Sequence, residues 1–399
     1  MFCKRVSWRG RAAYVLGNGI IRLTTLTGGG HIADLHMEQT PTASNVNPLW
    51  NPPWPTIEPY KYREKKHARA YGTIAEGKLL SGLTGHNICL DYFGSPSTEE
   101  AREGLSQHGE AASSKWQKSR ISTNKEKCGL TLSVRLPVSG LRFRRKIELR
   151  KDESVAYFSE TVRNERKADH FFHWAQHVTL GLPFLSSRDA VISIPGTKGF
   201  TYPHGYDEGK ALLSSGQEFR WPNAPLRKGG SIDLTHPFLG KGLGFVATVL
   251  LDKKKQLGFV AAVNERMNLL IAYCFNRSDF PWVAIWEENF GISAAPWKRR
   301  TQARGLEFST TPLPLHRRES FTTDRLFGEP NLTLVPAREE KTVRYVALLA
   351  EVPDNFGNVR DIQFSKDEIK LHGSSKKKLI RVAATGLEEF FGQVGPNLR

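Results

Sequence analysis

Residues 141–152, LRFRRKIELRKD, alternate between apolar and charged side chains, and this alternation carries the strongest structural signal in the chain. The apolar positions are Leu141, Phe143, Ile147 and Leu149. Because successive side chains of a β-strand point to opposite faces, the pattern predicts a half-buried strand with Arg and Lys largely on its solvent side. Segment 128–138 precedes it and segment 154–164 follows a short turn, so we expect three successive strands of one antiparallel meander.

Strand-like segments recur in the second half of the chain. We expect 244–252 and 257–264 to form a hairpin around the turn KKKQ, and 267–275 and 281–289 to continue it. Residues 341–352 predict one more strand. Turn-forming residues separate these segments, with 35 Gly and 22 Pro among 399 residues. Many strands at short spacing favour an all-β fold, a large antiparallel β-sandwich with few short helices.

Helical patterns are sparse. Residues 97–105 are one helix candidate, since Ser97 and Glu100 stand at the two positions of a capping box, and GLEEFFGQV near the C-terminus is the other. The Pro-rich residues 40–70 exclude a central strand there. Composition does not shift sharply along the chain, so we predict a single β-sandwich domain over residues 1–399.

Charge and hydropathy exclude several functional classes. The net charge of +17 favours attraction to anions. The basic runs are short, however, and the sequence carries no helix-turn-helix or RNA-recognition motif, so we expect no specific nucleic-acid partner. No run of about 18 apolar residues occurs, so we expect no membrane span, and the first residues lack the apolar run of a secretion signal.

The four cysteines are widely spaced, with no CxxC pair. This pattern indicates neither a zinc knuckle nor a disulfide framework. We therefore expect a cytoplasmic protein with reduced thiols.

Histidines cluster in three short segments, which contain His86, His108, His170, His173 and His177. A single histidine in a turn is most often solvated. His173 and His177 are four residues apart, which is also a spacing of metal-ligand pairs. A metal site would need a third ligand, and the sequence fixes none.

Three separated motifs resemble those of the galactose mutarotase-like (aldose 1-epimerase) superfamily. A strand ends in Asn164, a polar turn follows, and His177 then precedes the segment GLPFL at 181–185. An earlier loop contains His108 followed by Gly, and a late strand, RGLEFSTTPLP, contains Glu307 before a proline. The opening segment LGNGIIRLTTLTGGGHIADL is also similar to the family's first hairpin.

The resemblance implies a mutarotase-like sandwich that interconverts the anomers of a monosaccharide or sugar derivative without a cofactor or metal. Glu307 would be the base, His177 the acid, and His108 a hydrogen-bond partner of the sugar. A histidine suits the acid role because its ordinary pKa is near neutrality, and burial would raise the pKa of the glutamate. The alternative for Glu307 is a rim position, paired with Arg304. The basic charge would suit an anionic sugar, and the protein would be a monomer or a homodimer.

Several further residues are candidates for substrate binding. Enzymes of the family usually have an arginine in the loop before the His-Gly motif, and here His86 or Asp91 stands in its place. Glu287 and Glu288 are rival carboxylates on the strand before the one that contains Glu307. The family's frequent substrate-binding aspartate has no counterpart in HPFLGKGLGFV.

Two pairs of tryptophans are candidates for stacking on a sugar ring. Trp282 and Trp286 share one face of a predicted strand, where they would form a stacking platform or pack in the core. Trp50 and Trp54 lie in the Pro-rich segment, which would place them at the rim of a cleft.

Two other functions remain open on the sequence. The missing arginine and aspartate favour a carbohydrate-binding protein of the same fold without turnover. A lyase or hydrolase is the other alternative, because one fold hosts several chemistries.

Overall fold

The computed structural model describes residues 1–40, 45–186, 189–206, 209–238, 240–374 and 378–392. The strands, in chain order, are β1 (Phe2–Trp8), β2 (Arg11–Gly17), β3 (Ile21–Leu26), β4 (Ile32–Met37), β5 (His86–Cys89), β6 (Gln117–Thr123), β7 (Lys127–Leu136), β8 (Leu141–Arg150), β9 (Val155–Asn164), β10 (His170–Phe172), β11 (Ala175–Gly181), β12 (Ala190–Ser193), β13 (Gly196–Thr201), β14 (Glu218–Arg220), β15 (Asn223–Pro225), β16 (Ser231–Asp233), β17 (Leu243–Leu251), β18 (Leu257–Asn264), β19 (Leu269–Asn276), β20 (Trp282–Asn289), β21 (Gln302–Ser309), β22 (Arg325–Leu326), β23 (Glu329–Pro330), β24 (Thr333–Val335), β25 (Glu340–Glu351), β26 (Asp361–Phe364), β27 (Glu368–His372) and β28 (Leu379–Ala383). The helices are α1 (Glu64–Tyr71), α2 (Ile74–Leu80), α3 (Thr98–Arg102), α4 (Arg317–Thr322) and α5 (Leu387–Phe391).

Two large sheets pack face to face. The first, here called the front sheet, has the order β1-β2-β3-β4-β5-β11-β21-β20-β17-β13-β14-β15-β16, and the second, the back sheet, has the order β12-β18-β19-β25-β9-β8-β7-β6. Side chains from both sheets, such as Leu23 and Phe308 of the front sheet and Phe143 and Phe158 of the back sheet, form one buried cluster between them. The predicted all-β, large antiparallel β-sandwich is confirmed.

The predicted meander is part of the back sheet, where β6, β7, β8 and β9 are consecutive neighbours. The alternation in β8 places Phe143 and Ile147 in the core and exposes Arg144 and Lys146. Arg145 has the same parity as the apolar residues, and its side chain is fully buried. One of the charged residues of the segment therefore lies inside the sandwich.

The predicted hairpin of 244–252 and 257–264 is wrong. Strand β17 pairs with β13 and β20 in the front sheet, whereas β18 pairs with β12 and β19 in the back sheet. The turn between them crosses from one sheet to the other, a distance of about 10 Å. For the same reason β20 does not continue β19. Both strands are buried on both faces, so their patterns do not reveal which sheet each one joins.

Helix α3 confirms the first helix prediction, with Ser97 and Glu100 forming both bonds of the capping box. Helix α5 confirms the second. Helices α1, α2 and α4 were not predicted, because α1 is largely polar and α2 contains Gly77. Packing stabilises α1 and α2, since Tyr71 and Leu79 join a cluster of tryptophans. None of the helices within the described ranges could cross a membrane.

A third layer covers the outer face of the back sheet. The small sheet of β26, β27 and β28, together with α5, contributes residues such as Ile369 and Phe391 to a cluster with Tyr157, Cys274 and Val346 of the back sheet. The division into domains stays a prediction, a single unit over residues 1–399.

A chain of buried polar groups crosses the interior between the two sheets. Arg145 Nε lies 2.6 Å from Glu160 Oε1, and both side chains are fully buried. The Tyr345 hydroxyl donates to the same oxygen at 2.8 Å, and Gln176 Nε2 donates to Glu160 Oε2 at 2.5 Å. His86 Nε2 and Gln176 Oε1, 2.9 Å apart, complete the chain. The pairing of these groups offsets the cost of burying them.

We expect Arg145→Met to lower the free energy of unfolding by about 3–5 kcal/mol, because Glu160 would be left buried without its cation. The double variant Arg145→Met/Glu160→Leu should recover part of that loss, since no unpaired charge remains. Urea unfolding measures both effects.

The matched control is Arg163→Met in the same sheet. Its ion pair with Glu340 has side chains that are 51% and 42% exposed, so its loss should cost less than about 1 kcal/mol. An Arg145→Met variant no less stable than this control would contradict the prediction.

Candidate active site

The pairing of β11 with β21 sets His177 directly opposite Glu307. Their chain neighbours Val178, Leu306 and Phe308 lie in the core between the sheets, so His177 and Glu307 point to the other face of the front sheet. His177 Nε2 and Glu307 Oε1 are 3.1 Å apart. Both residues are buried, at 5% and 3% exposure.

His108 reaches the same place from the loop after α3. Its Nδ1 donates to the carbonyl oxygen of Phe93 at 2.7 Å, and its ring centroid is 4.9 Å from that of His177, edge to face. The backbone φ of His108 is 64°, a left-handed conformation that costs about 1–3 kcal/mol in a residue other than glycine. This buried, strained histidine is therefore not the solvated residue that a turn usually holds.

The three side chains line one pocket, with a volume of about 390 Å³. That volume is within the range of about 300–1,000 Å³ typical of small-molecule sites. The described lining residues are Glu76, Leu79, Leu80, Leu83, Phe93, Ser95, Gln107, His108, His177, Tyr202, Gly205, Tyr206, Val246, Trp286, Ile292, Ala294, Ala295, Trp297, Glu307 and Pro314. A larger groove, of about 790 Å³, lies far from this site, between the back sheet and α5.

Burial controls the protonation of the pair. It raises the pKa of Glu307 well above its ordinary 4.5, and burial together with the neighbouring His108 lowers the pKa of His177 well below 6.5. When the two groups share one proton, burial therefore favours the neutral pair over the charged one.

Two hydrogen-bond acceptors face a ligand in this state. Burial lowers the pKa of His108 to about 4, so its ring is neutral at pH 7. Because Nδ1 donates to Phe93, Nε2 is the nitrogen with a free lone pair. Glu307 Oε1 is buried and has no aligned hydrogen bond within the described residues, although His177 Nε2 is close. A sugar hydroxyl would satisfy either atom.

Of the predicted tryptophans, only Trp286 lines the pocket. Trp282 shares its face of β20 but is fully buried, 6.2 Å from the Phe327 ring. The prediction that Trp50 and Trp54 form an exposed rim is wrong, because both rings are buried beneath Trp297. The Pro-rich segment folds back under α1 and α2 instead of standing in solvent.

The predicted polar substrate ligands lie away from the pocket. His86 is fully buried between the sheets, where Gln176 is its partner. Glu287 points to the inner face and pairs with Arg304 at 2.8 Å, so Arg304 does not pair with Glu307 as the rim alternative required. Both placements follow from strand alternation, which turns these side chains away from the pocket.

Asp91 also has protein partners. Its Oδ2 is 2.9 Å from His170 Nε2 and 3.3 Å from Arg317 Nη1. Burial alone would raise its pKa, but these two neighbours outweigh that effect and lower it. Glu288, the other rival carboxylate, accepts a hydrogen bond from the Tyr206 hydroxyl at 2.7 Å.

The predicted metal-pair spacing does not produce a cluster. His173 stacks on Tyr92, with ring centroids 5.4 Å apart, and is not among the residues around His177 in the pocket. Within the described ranges, no three His, Cys, Asp or Glu side chains are grouped as metal ligands.

The sequence reasoning missed most of the pocket wall. Trp297 packs against Trp286 at 5.7 Å, and Tyr202 and Tyr206 approach from the loop after β13. The two tyrosines stand in the Gly-containing segment YPHGY, and aromatic residues in such a loop were a signal that could have identified them. Nothing in the local sequence marks Trp297.

Comparisons with known proteins agree on the fold. A candidate aldose 1-epimerase from Klebsiella pneumoniae matches with a TM-score of 0.61 at 12% identity, over 85% of this chain and 79% of that one. A galactose mutarotase-like protein from Clostridium acetobutylicum matches with a TM-score of 0.58 at 12% identity, over 88% and 98%. A candidate aldose 1-epimerase from Escherichia coli K12 matches with a TM-score of 0.55 at 14% identity, over 85% and 99%.

At these identities the likeness establishes the fold alone, and that fold is the galactose mutarotase-like sandwich. The predicted resemblance to this superfamily is thus confirmed at the level of structure. No protein-family model matches the sequence, and no curated protein does so either.

Acid should destabilise the protein below pH 6.5. Burial lowers the pKa of five histidines, which are His31, His86, His108, His173 and His177. Below pH 6.5 these histidines therefore bind more protons in the unfolded chain than in the folded one. Their stabilisation is complete above 6.5 and is lost as the pH falls toward their folded pKa values, which are about 3 to 4 for the four other than His177. Each contributes at most about 1.4 kcal/mol per pH unit, and Glu307, whose pKa is raised, acts in the opposite sense.

Urea unfolding at pH 7.5, 6 and 5 measures this slope. A free energy of unfolding that is constant from pH 7.5 to 5 would contradict the prediction.

Proposed function

We propose that this protein is an aldose 1-epimerase-like mutarotase that interconverts the anomers of a sugar by acid–base catalysis. The observation that supports it best is the convergence of Glu307, His177 and His108 in one pocket, with a carboxylate and an imidazole 3.1 Å apart. The Trp286 ring, 6.1 Å from the His177 ring, offers an apolar surface for the face of a pyranose.

In this proposal Glu307 takes the proton of the C1 hydroxyl while His177 gives a proton to the ring oxygen. The bond between C1 and the ring oxygen breaks, the aldehyde forms, C1 rotates, and the reverse transfers close the ring on the other face. Glu307 gains one proton as His177 loses one, so the pair carries a single proton throughout. The reactive form is the charged one, with Glu307 ionised and His177 protonated, which burial disfavours at rest; ring opening returns the pair to the neutral form.

His108 has a positioning role in the same scheme. Its neutral Nε2 would accept a hydrogen bond from a sugar hydroxyl and hold the ring against His177. Restricting the substrate in this way lowers the entropy cost of the proton transfers.

The protein would carry out this reaction in a reducing compartment, which we take to be the cytoplasm. The four cysteines support this setting, because all are free thiols and three of them are buried.

Glu307→Gln should abolish the acceleration of anomer exchange, a loss of at least about 10²–10⁴-fold, because the amide cannot take the proton. Polarimetry on freshly dissolved α-aldoses, or NMR exchange between anomers, measures the rate. Glu340→Gln, at an exposed carboxylate of the back sheet, is the control and should behave like the wild type.

A wild type that binds sugars but leaves their exchange at the spontaneous rate would contradict catalysis. That outcome would favour the binding protein that the missing arginine suggested.

The pH dependence of kcat/KM should be bell-shaped, because the pair works with a single proton. The low-pH limb reports a second proton on the pair, and it should lie well below 6.5 because burial and His108 lower the pKa of His177. The high-pH limb reports loss of the last proton, and it should lie well above 4.5 because burial raises the pKa of Glu307. A profile with a single limb centred at 6.5 would show that an exposed histidine controls the rate.

A further inference from the structure

The wall of the pocket is mostly apolar. Leu79, Leu80, Ile292, Trp286 and Trp297 all line it, and the same five residues belong to or pack on one hydrophobic cluster. They therefore form a continuous apolar surface. The contact of Trp286 with His177 joins this surface to the other residues of the site.

Among the described residues that line the pocket none is Lys or Arg, although the chain has 57 of them. Lys298, Arg299 and Arg300 follow Trp297 along the chain and are exposed, and none of them is among the lining residues. Arg304 and Arg317 also lie near the site along the chain, and both are paired elsewhere. Arg304 pairs with Glu287 on the inner face, and Arg317 contacts Asp91 and Glu100. The charged lining residues are carboxylates, Glu76 and Glu307.

An anionic sugar would therefore bury its charge without a partner. Burial of an unpaired charge is among the most costly changes a site can impose. The net charge of +17, which suggested an anionic substrate, belongs to surfaces other than this pocket.

Polar groups that could meet sugar hydroxyls are few beyond the catalytic residues. The remaining uncharged polar side chains of the described lining are those of Ser95, Gln107, Tyr202 and Tyr206. The Tyr206 hydroxyl already donates to Glu288. A sugar with a hydroxyl at every carbon would bury some of them against leucine and tryptophan, where they would lose their bonds to water.

We propose that the substrate is an uncharged aldose with an apolar portion, of which a 6-deoxyhexose is the simplest member. This inference rests on the proposed mutarotase function and specifies the substrate class of the same pocket. The methyl group would lie against the surface formed by α2, Ile292 and the tryptophans, while C1 lies at His177 and Glu307.

The test compares three sugars that differ only at C6, in both the gluco and galacto series: the 6-deoxyhexose, the parent hexose and the hexose 6-phosphate. NMR exchange gives kcat/KM for each, and saturation-transfer NMR gives binding without turnover. We expect the 6-deoxy sugar to exceed the parent about tenfold, as one group in an apolar pocket typically gives, and the 6-phosphate to fall at least about a hundredfold below the parent.

The two measurements separate the inference from the function on which it rests. Preferential binding of the 6-deoxy sugar without accelerated exchange would leave the inference standing and overturn catalysis. Accelerated exchange with the parent or the phosphate preferred would leave catalysis standing and overturn the inference. No binding of any of the sugars would overturn both.

A variant pair tests the apolar surface itself. Ile292→Ser should reduce the ratio of 6-deoxy to parent kcat/KM at least about threefold, because it replaces part of the surface with a hydroxyl. Ile121→Ser, at a 39% exposed isoleucine of β6 in the back sheet, should leave the ratio unchanged. Equal ratios in both variants would contradict the assignment of Ile292 to the substrate.

Discussion

The site depends on the register between β11 and β21. Seven residue pairs align the two strands, and one of these pairs is His177 with Glu307. A shift of β21 by one residue would turn Glu307 to the inner face and bring Leu306 out, so the apolar neighbours that fill the core also fix the direction of the pocket residues. The stability of the sandwich and the chemistry of the pocket therefore rest on the same hydrogen-bonded ladder.

A second polar layer lies directly behind this ladder. Gln176 precedes His177 on β11 and points inward, where it joins Glu160, Arg145 and His86. Of these two adjacent residues of β11, Gln176 therefore contributes to the interior and His177 to the pocket. Hydrogen bonds between Gln176 and residues of the back sheet hold β11 in position. They thereby position His177, although these residues do not contact its imidazole.

Sequence reasoning identified Glu307, His177 and His108 as site residues but not the residues that surround them. The alternation of side chains was sufficient to predict the face to which Glu307 points, because its neighbours Leu306 and Phe308 lie in the core. Trp286 and Glu287 were both predicted to bind substrate, although alternation turns adjacent residues of β20 to opposite faces, and in the structure only Trp286 faces the pocket. Trp50 and Trp54 were misplaced because burial of a loop depends on tertiary cover, here α1 and α2, whose polar sequences gave little helical signal. The position of β18 in the back sheet likewise depends on partners distant in sequence, because β12 pairs with β18 and β25 pairs with its neighbour β19.

The third layer restricts how this protein can associate. With β26, β27, β28 and α5 seated on the back sheet, the apolar part of its outer face is already occupied by the chain's own C-terminal residues. A second subunit could not dock there without displacing them. A homodimer would have to use other surfaces, and one built on the loops around the pocket mouth would make access to the pocket depend on assembly.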